Sequence, residues 1–177
     1  MEKFNKNTKE FLEWLRGEDK IRVLFICLGN ICRSPAAEGV LKEIVKEHAE
    51  ESRWDIDSAG TGGWHVGELP DKRMRIHARN RGIELTHHCR KVKPSDFDEF
   101  DLIIPMDSDN EFNLRRMAPS IEASRKIVPM ISFIDKSLFG YDHVPDPYYE
   151  GAEGFELVLD MLQDGCRNLY NTLTHDS

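Results

Sequence analysis

Cys27 and Arg33, with five residues between them, are the pair whose types and spacing could most readily do chemistry in this chain. Cysteine is a strong nucleophile once ionised, and thiols beside cations and helix N-termini ionise well below their usual range. Arginine offers a planar fork of donors that can grip two oxygens of a tetrahedral oxyanion. Gly29 and Asn30 lie between the two, and both residue types tolerate unusual backbone angles. Ser34-Pro35 follows, reading as an N-cap with proline at the first helical position. A tight loop that opens into a helix collects unpaired N–H groups and the positive end of the dipole, which makes an anion site. The Ser34 hydroxyl can add a hydrogen bond to a thiolate at Cys27. A nucleophile, an anion cradle and a bidentate clamp point to phosphoryl transfer through a cysteine.

Other chemistry fits these residues less well. An isolated cysteine is most often a small buried apolar residue, but here glycine, arginine and Ser-Pro follow in the order an anion loop needs. Zinc would need a second cysteine pair near Cys27 and Cys32, and none is present. No metal or cofactor is therefore expected. A nucleotide-binding loop of the Gly-x-x-x-x-Gly-Lys type requires a lysine that this loop lacks.

The elements that must position the loop follow from hydrophobic periodicity. Val23 to Cys27 is an unbroken apolar run, as in a strand buried on both faces. Ala36 to Glu50 reads as a helix with Val40, Leu41, Ile44, Val45 and His48 on one face. Trp54–Gly60 is a second expected strand, Asp101–Met106 a third and Lys126–Met130 a fourth, with Pro129 placing the last at an edge. Helices are expected from Asp71 to Gly82, at Pro94–Phe97, from Asp107 to Met117 and from Glu153 onward, and residues 131–152 read as one long loop. The alternation implies an α/β single-domain fold, a four-stranded parallel sheet with helices on both faces. Ligands then bind beyond the carboxyl ends of the strands, where Cys27, Ser58 and Asp107 all fall.

Residues 1–20 form an N-terminal helical extension, and residues 21–177 the domain. In the extension Asn7-Thr8-Lys9-Glu10 resembles a helix start and Gly17 a stop, with Phe11, Leu12 and Leu15 on one face and Trp14 beside it. So short a helix must dock to persist; its own domain is the nearest surface, and the alternatives are a self-association patch or a cover for the active site. The net charge of −8 disfavours nucleic acid as a partner. Four irregularly spaced cysteines do not form a disulfide scaffold, and no long apolar run or leader pattern is present. A cytoplasmic protein, not bound to membrane and monomeric or weakly dimeric, is the expectation.

Cys27-Leu28-Gly29-Asn30-Ile31-Cys32-Arg33-Ser34-Pro35 resembles the signature of the low-molecular-weight protein tyrosine phosphatases. The resemblance continues through Ser58-Ala59-Gly60-Thr61, Trp64-His65-Val66-Gly67, Met106-Asp107 and Val144-Pro145-Asp146-Pro147-Tyr148-Tyr149. It implies hydrolysis of phosphotyrosine on protein substrates, with Cys27 as nucleophile, Arg33 binding the transferred group and Asp146 as general acid and base. It also implies that Leu28, Gly29, Asn30, Ile31, Cys32 and Ser34 form the phosphate loop. Asn30, Ser58 and His87 would brace that loop and Asp107 would orient Arg33. Trp64, Tyr148 and Tyr149, with Leu28 and Ile31, would wall the ring of the substrate. Enzymes of this kind with both cysteines can be protected by a reversible Cys27–Cys32 disulfide. The chain departs from the pattern with Asp109 and Glu150 at positions usually Ser and often Gly.

Three alternatives share the loop. Protein-arginine phosphatases resemble this chain but carry threonine where Ile31 stands. Arsenate reductases need two further cysteines close together near mid-chain, and only Cys89 is there. A phosphotyrosine-binding module without turnover is the third, and the presence of Cys27, Arg33 and Asp146 together argues against it.

Overall fold

In the computed structural model, which describes residues 4–175, the first strand β1 (Ile21–Cys27) lies at the centre of a parallel sheet. Its neighbours are β2 (Trp54–Gly60) and β3 (Leu102–Pro105), giving the order β2-β1-β3. Val23, Phe25 and Cys27 face one apolar cluster while Leu24 and Ile26 face another, so helices cover both faces. That is why the strand reads as continuous apolar sequence rather than as alternation. The register sets Cys27 opposite Gly60 and Ile26 opposite Pro105, so three strand ends share one edge.

The sheet has three strands, not the four expected. Lys126–Met130 contributes a single parallel bridge, Ile127 with Ile103. Ile103 N donates to Lys126 O and Val128 N donates to Ile103 O, and there the ladder stops. The next rung would need an N–H from residue 105 of β3 to Val128 O, but that residue is proline, and the chain turns at once into a 3-10 helix over Met130–Phe133.

Helix α2 (Arg33–Glu47) leaves the carboxyl end of β1 and packs on the C-terminal helix, which also covers the β1 face carrying Val23 and Phe25. The intervening helices are α3 (Lys72–Arg79), α4 (Asp96–Glu99), α5 (Ser108–Met117), α6 (Ile121–Ser124) and α7 (Lys136–Phe139), and the C-terminal one is α8 (Ala152–Thr174). The stretch read as one loop over 131–152 thus contains α7 and the end of the 3-10 turn. His48, placed on the apolar face of α2 by periodicity, is instead exposed just past its last turn and stacks on Tyr170. No helix among the described residues is long and apolar enough to cross a membrane.

The N-terminal helix α1 (Lys6–Arg16) starts at Asn5, whose side chain accepts from Thr8 N, two residues earlier than expected. It docks on α8, burying Leu12 and Leu15, while Phe4 meets Phe133 with ring centroids 5.3 Å apart. The chain then enters β1 at the sheet edge opposite Cys27. Two buried leucines contribute roughly 1.5–3 kcal/mol each, and each kcal/mol moves the melting temperature by about 2–4 °C in a domain this size. Deleting residues 1–18 is therefore expected to lower Tm by roughly 6–24 °C in a thermal melt. An unchanged Tm would mean that the docked helix contributes nothing to stability.

Candidate active site

The loop between β1 and α2 curls tightly enough that one non-glycine residue, Asn30, takes a left-handed backbone with φ 57°. Asparagine tolerates that region better than most residues. Gly29 lies outside the left-handed region, contrary to expectation. A Cβ there would approach the His65 ring at 3.3 Å. Gly60, at the end of β2, is demanded by contact: a Cβ would lie 2.7 Å from Leu28 O and 3.1 Å from Asn30 N. At Gly62 the neighbour is the exposed Trp64 ring rather than backbone, so a side chain there would displace that ring.

Asn30 is fully buried and every polar atom of its side chain is engaged. Its amide nitrogen donates to Ser34 Oγ at 2.8 Å and to Ser58 Oγ at 3.0 Å. Its oxygen accepts from His87 Nε2 at 2.8 Å and from the backbone N–H of Arg90 at 2.9 Å. Ser58 in turn donates to Glu38 Oε1 at 2.8 Å. His87 Nδ1 lies 3.2 Å from both Glu38 and Asp57, and Lys42 pairs with Glu38 at 2.8 Å. Burial would raise the Asp57 carboxyl, but hydrogen bonds from His87 and Ser58 N and the charge of Arg90 hold it below the usual range. Asn30, Ser58 and His87 therefore meet in one network, anchored on a buried carboxylate, Glu38, that sequence reasoning missed. Its signal was a charged residue inside the otherwise apolar first turns of α2.

Ser34 is not the N-cap of α2. The helix begins at Arg33, Cys32 occupies the cap position, and no side chain caps it. The serine hydroxyl sits instead 3.0 Å from Cys27 Sγ. Because Ser34 Oγ already accepts from Asn30, its single proton is left for Cys27, with Ala59 O at 3.4 Å as the competing acceptor. Cys32 is also buried, and burial, joined by the negative charges of Asp71, Cys27 and Asp146, pushes its thiol far up. Both are free cysteines.

Arg33 is only 3% exposed, and its guanidinium is pinned from one side. Nη1 donates to Asp107 Oδ2 at 2.6 Å and to Val144 O at 3.1 Å, while Nη2 lies 3.7 Å from Asp146 Oδ2. Burial would lower its pKa, but Cys27, Asp107 and Asp146 outweigh that and raise it, so the group stays charged. Asp107 does two things at once: its other oxygen accepts from Asn110 N at 2.8 Å and caps α5. Asp146 is presented by a turn in which its Oδ1 accepts from Tyr148 N at 3.0 Å.

Around these groups is a pocket of about 220 Å³. Its floor is Cys27, Gly29, Cys32 and Arg33, and its walls are Leu28, Ile31, Trp64, His65, Asp146, Tyr148 and Tyr149. An apolar cavity of about 150 Å³ holds benzene, so one aromatic ring above a tetrahedral group fits here. Trp64 is 71% exposed and Tyr149 91%, and both stand at the rim. The Tyr148 and Tyr149 rings meet edge-on at 4.9 Å, with the Arg73 guanidinium 5.4 Å from the Tyr148 centroid. Every residue singled out from the sequence lies in this pocket or in the hydrogen-bond network behind it.

Fold and loop define a class: α/β proteins with a cysteine-and-arginine anion loop at the carboxyl edge of a parallel sheet. A family model described as low molecular weight phosphotyrosine protein phosphatase matches residues 22–177. A low molecular weight phosphotyrosine protein phosphatase of Schizosaccharomyces pombe is 43% identical over 155 residues, covering 86% of this chain and 97% of its own. Among solved structures, a protein tyrosine phosphatase of Entamoeba histolytica has TM-score 0.81 at 42% identity, covering 85% of this chain and 95% of its own. A Drosophila arginine phosphatase has TM-score 0.82 at 31% identity, covering 89% and 100%. The chain belongs to the low molecular weight phosphotyrosine protein phosphatase family.

The double role of Asp107 yields a separable expectation. Asp107→Asn keeps an acceptor for the cap but halves the charge-assisted hold on Arg33. Its kcat/KM on an aryl phosphate should fall about 10-fold, with a smaller loss of Tm than for alanine, because the amide oxygen still accepts from Arg33 and from the cap. Asp107→Ala should lose activity and roughly 8 °C or more of Tm, since a cap contributes about 1 kcal/mol and a buried charge left without its partner costs about 3–5 kcal/mol, at about 2–4 °C per kcal/mol. Equal melting temperatures for the two variants would remove the capping role.

Proposed function

We propose that this protein hydrolyses phosphotyrosine on protein substrates through a phosphocysteine, with Cys27 as nucleophile and Asp146 as general acid and base. The observation that carries the reading is the placement of Cys27, the side-pinned Arg33 and Asp146 around one ring-sized pocket. The phosphate dianion settles against the loop N–H groups and the free edge of Arg33. Cys27 Sγ attacks phosphorus, and Ser34 O–H steadies the thiolate beforehand. As the P–O bond breaks, Asp146 gives its proton to the departing tyrosyl oxygen. The resulting carboxylate then takes a proton from water, which attacks the phosphocysteine and restores the thiolate and inorganic phosphate.

Tyrosine is favoured over arginine as the phosphorylated residue because Ile31 lines the pocket with an apolar side chain. It has no hydroxyl to meet a guanidinium. Phosphotyrosine is favoured over phosphoserine because its ring packs against the aromatic and apolar walls, Trp64, Tyr148, Leu28 and Ile31. Cys32 is the partner thiol for Cys27 after peroxide oxidation: its sulfur attacks the sulfenic acid, water leaves and a disulfide forms. The protein is read as cytoplasmic, and as a monomer or weak dimer.

Cys27→Ser should lose at least about 10³-fold in kcat on p-nitrophenyl phosphate while melting normally, since a serine hydroxyl stays protonated where a thiolate is required. Retained turnover would move the nucleophile elsewhere. Asp146→Ala should lose roughly 10²-fold or more with phenyl phosphate and far less with p-nitrophenyl phosphate, whose leaving group needs little protonation. A uniform loss across a leaving-group series would sink the acid role. Phosphotyrosine, phosphoarginine and arsenate offered side by side test the substrate class.

A further inference from the structure

A cradle built from inward-pointing N–H groups turns its carbonyl oxygens outward, and each buried oxygen then needs a donor behind the loop. Four of these oxygens accept backbone N–H groups. Cys27 O accepts from Thr61, Leu28 O from Gly62, Ile31 O from Asp71 and Cys32 O from Ala36, at 2.8–3.2 Å. Asn30 differs. Its carbonyl accepts from a side chain, the Cys89 thiol, with Sγ 2.8 Å away and buried. The same residue is tied by its backbone to the pocket wall: Cys89 N donates to Glu68 O and Gly67 N to Cys89 O, both at 2.8 Å.

We propose that Cys89 is a positioning residue of the phosphate loop, its thiol holding the Asn30 carbonyl outward while its backbone fixes the segment that carries Trp64 and His65. Asn30 is the left-handed residue of the loop, so the peptide after it is the one most easily rotated. Rotation would swing the Asn30 oxygen toward the anion and withdraw the N–H of Ile31. The donor must keep its proton to work. Burial, with Cys27 and Glu68 adding, pushes the Cys89 thiol up to about 11, so it remains a donor at neutral pH. The proposal rests on the phosphatase reading for the identity of the anion, but not for the geometry of the loop.

Cys89→Ala, Cys89→Val and Cys89→Ser separate donor from volume: valine fills the site without donating, and serine donates. Inhibition by inorganic phosphate, kcat/KM on p-nitrophenyl phosphate and Tm would be measured for each. Alanine and valine should raise the phosphate inhibition constant about 10-fold and lower kcat/KM at least as much, because a buried acceptor loses its donor. Serine should stay within about 2-fold of the parent. A folded serine variant as impaired as alanine would overturn the proposal, as would alanine and valine variants that match the parent. Failure of both alanine and valine to fold would make Cys89 a stability residue instead. If the parent turns over none of the phosphorylated substrates, the phosphatase reading fails by itself. The loop inference is then tested by calorimetric titration of parent and variants with inorganic phosphate.

Discussion

The structure depends on one constraint: a loop that offers its N–H groups to an anion must hide its carbonyls, and must be held in a shape the backbone does not choose unaided. The bracing comes from three directions. Asn30 reaches back to Ser34, Ser58, His87 and Arg90. The turn after β2 donates to Cys27 O and Leu28 O. The entry to α3 donates to Ile31 O through Asp71 N. The close approach of Gly60 to the loop follows, since a side chain there would occupy the space of the Leu28 and Asn30 peptides. The sheet register matters for the same reason, because it alone sets Cys27 beside Gly60.

The buried arginine obeys related logic. A guanidinium this deep is costly unless paired and hydrogen-bonded, and removing one partner of such a pair is strongly destabilising. Asp107 and Val144 O satisfy one edge of Arg33 and leave the other directed toward the pocket, near Asp146. Val144 is placed by its own N–H donating to Met106 O, one residue beyond β3. The long segment that carries Asp146 is thereby tied to the sheet edge that presents Asp107. Asp146 and Arg33 are positioned by the same strand end.

Much of this was legible in sequence where residue type alone determines the chemistry. Cysteine, arginine and Ser-Pro at fixed spacing admit few uses, and the apolar run before them admits few places in a sheet. Hydrogen bonds join Asn30, Ser58 and His87, Asp107 pairs with Arg33, and α1 packs on α8. What was illegible depends on partners distant along the chain. Ser34 looks like a cap because most serines before proline are caps, but its hydroxyl is claimed by Cys27 and Asn30. Glu38 reads as one more charge on a helix until Ser58 and His87 close over it. Cys89 has no motif at all. The fourth strand failed for a local reason the sequence did contain, Pro105, which has no N–H to meet Val128 O after the single bridge.

The N-terminal helix raises a different question, because the family model begins at residue 22 and the fold of that family does not depend on α1. Its docking surface already exists on α8, whose long apolar stripe runs from Phe155 to Leu173. That stripe is shared among α2, α3, the 3-10 turn over Met130–Phe133 and α1. Leu12, Leu15 and Phe4 extend the cluster that includes Phe133 and the final turns of α8. The helix enters at the sheet edge away from Cys27, so whatever it adds reaches the site only through the common core. Net charge leads to the same separation of parts. A chain of −8 gains no long-range attraction for a phosphate dianion. Capture must come from the loop N–H groups and Arg33 at short range, where screening by salt is weakest. Trp64, His65 and Tyr149 stand around the mouth of the same pocket.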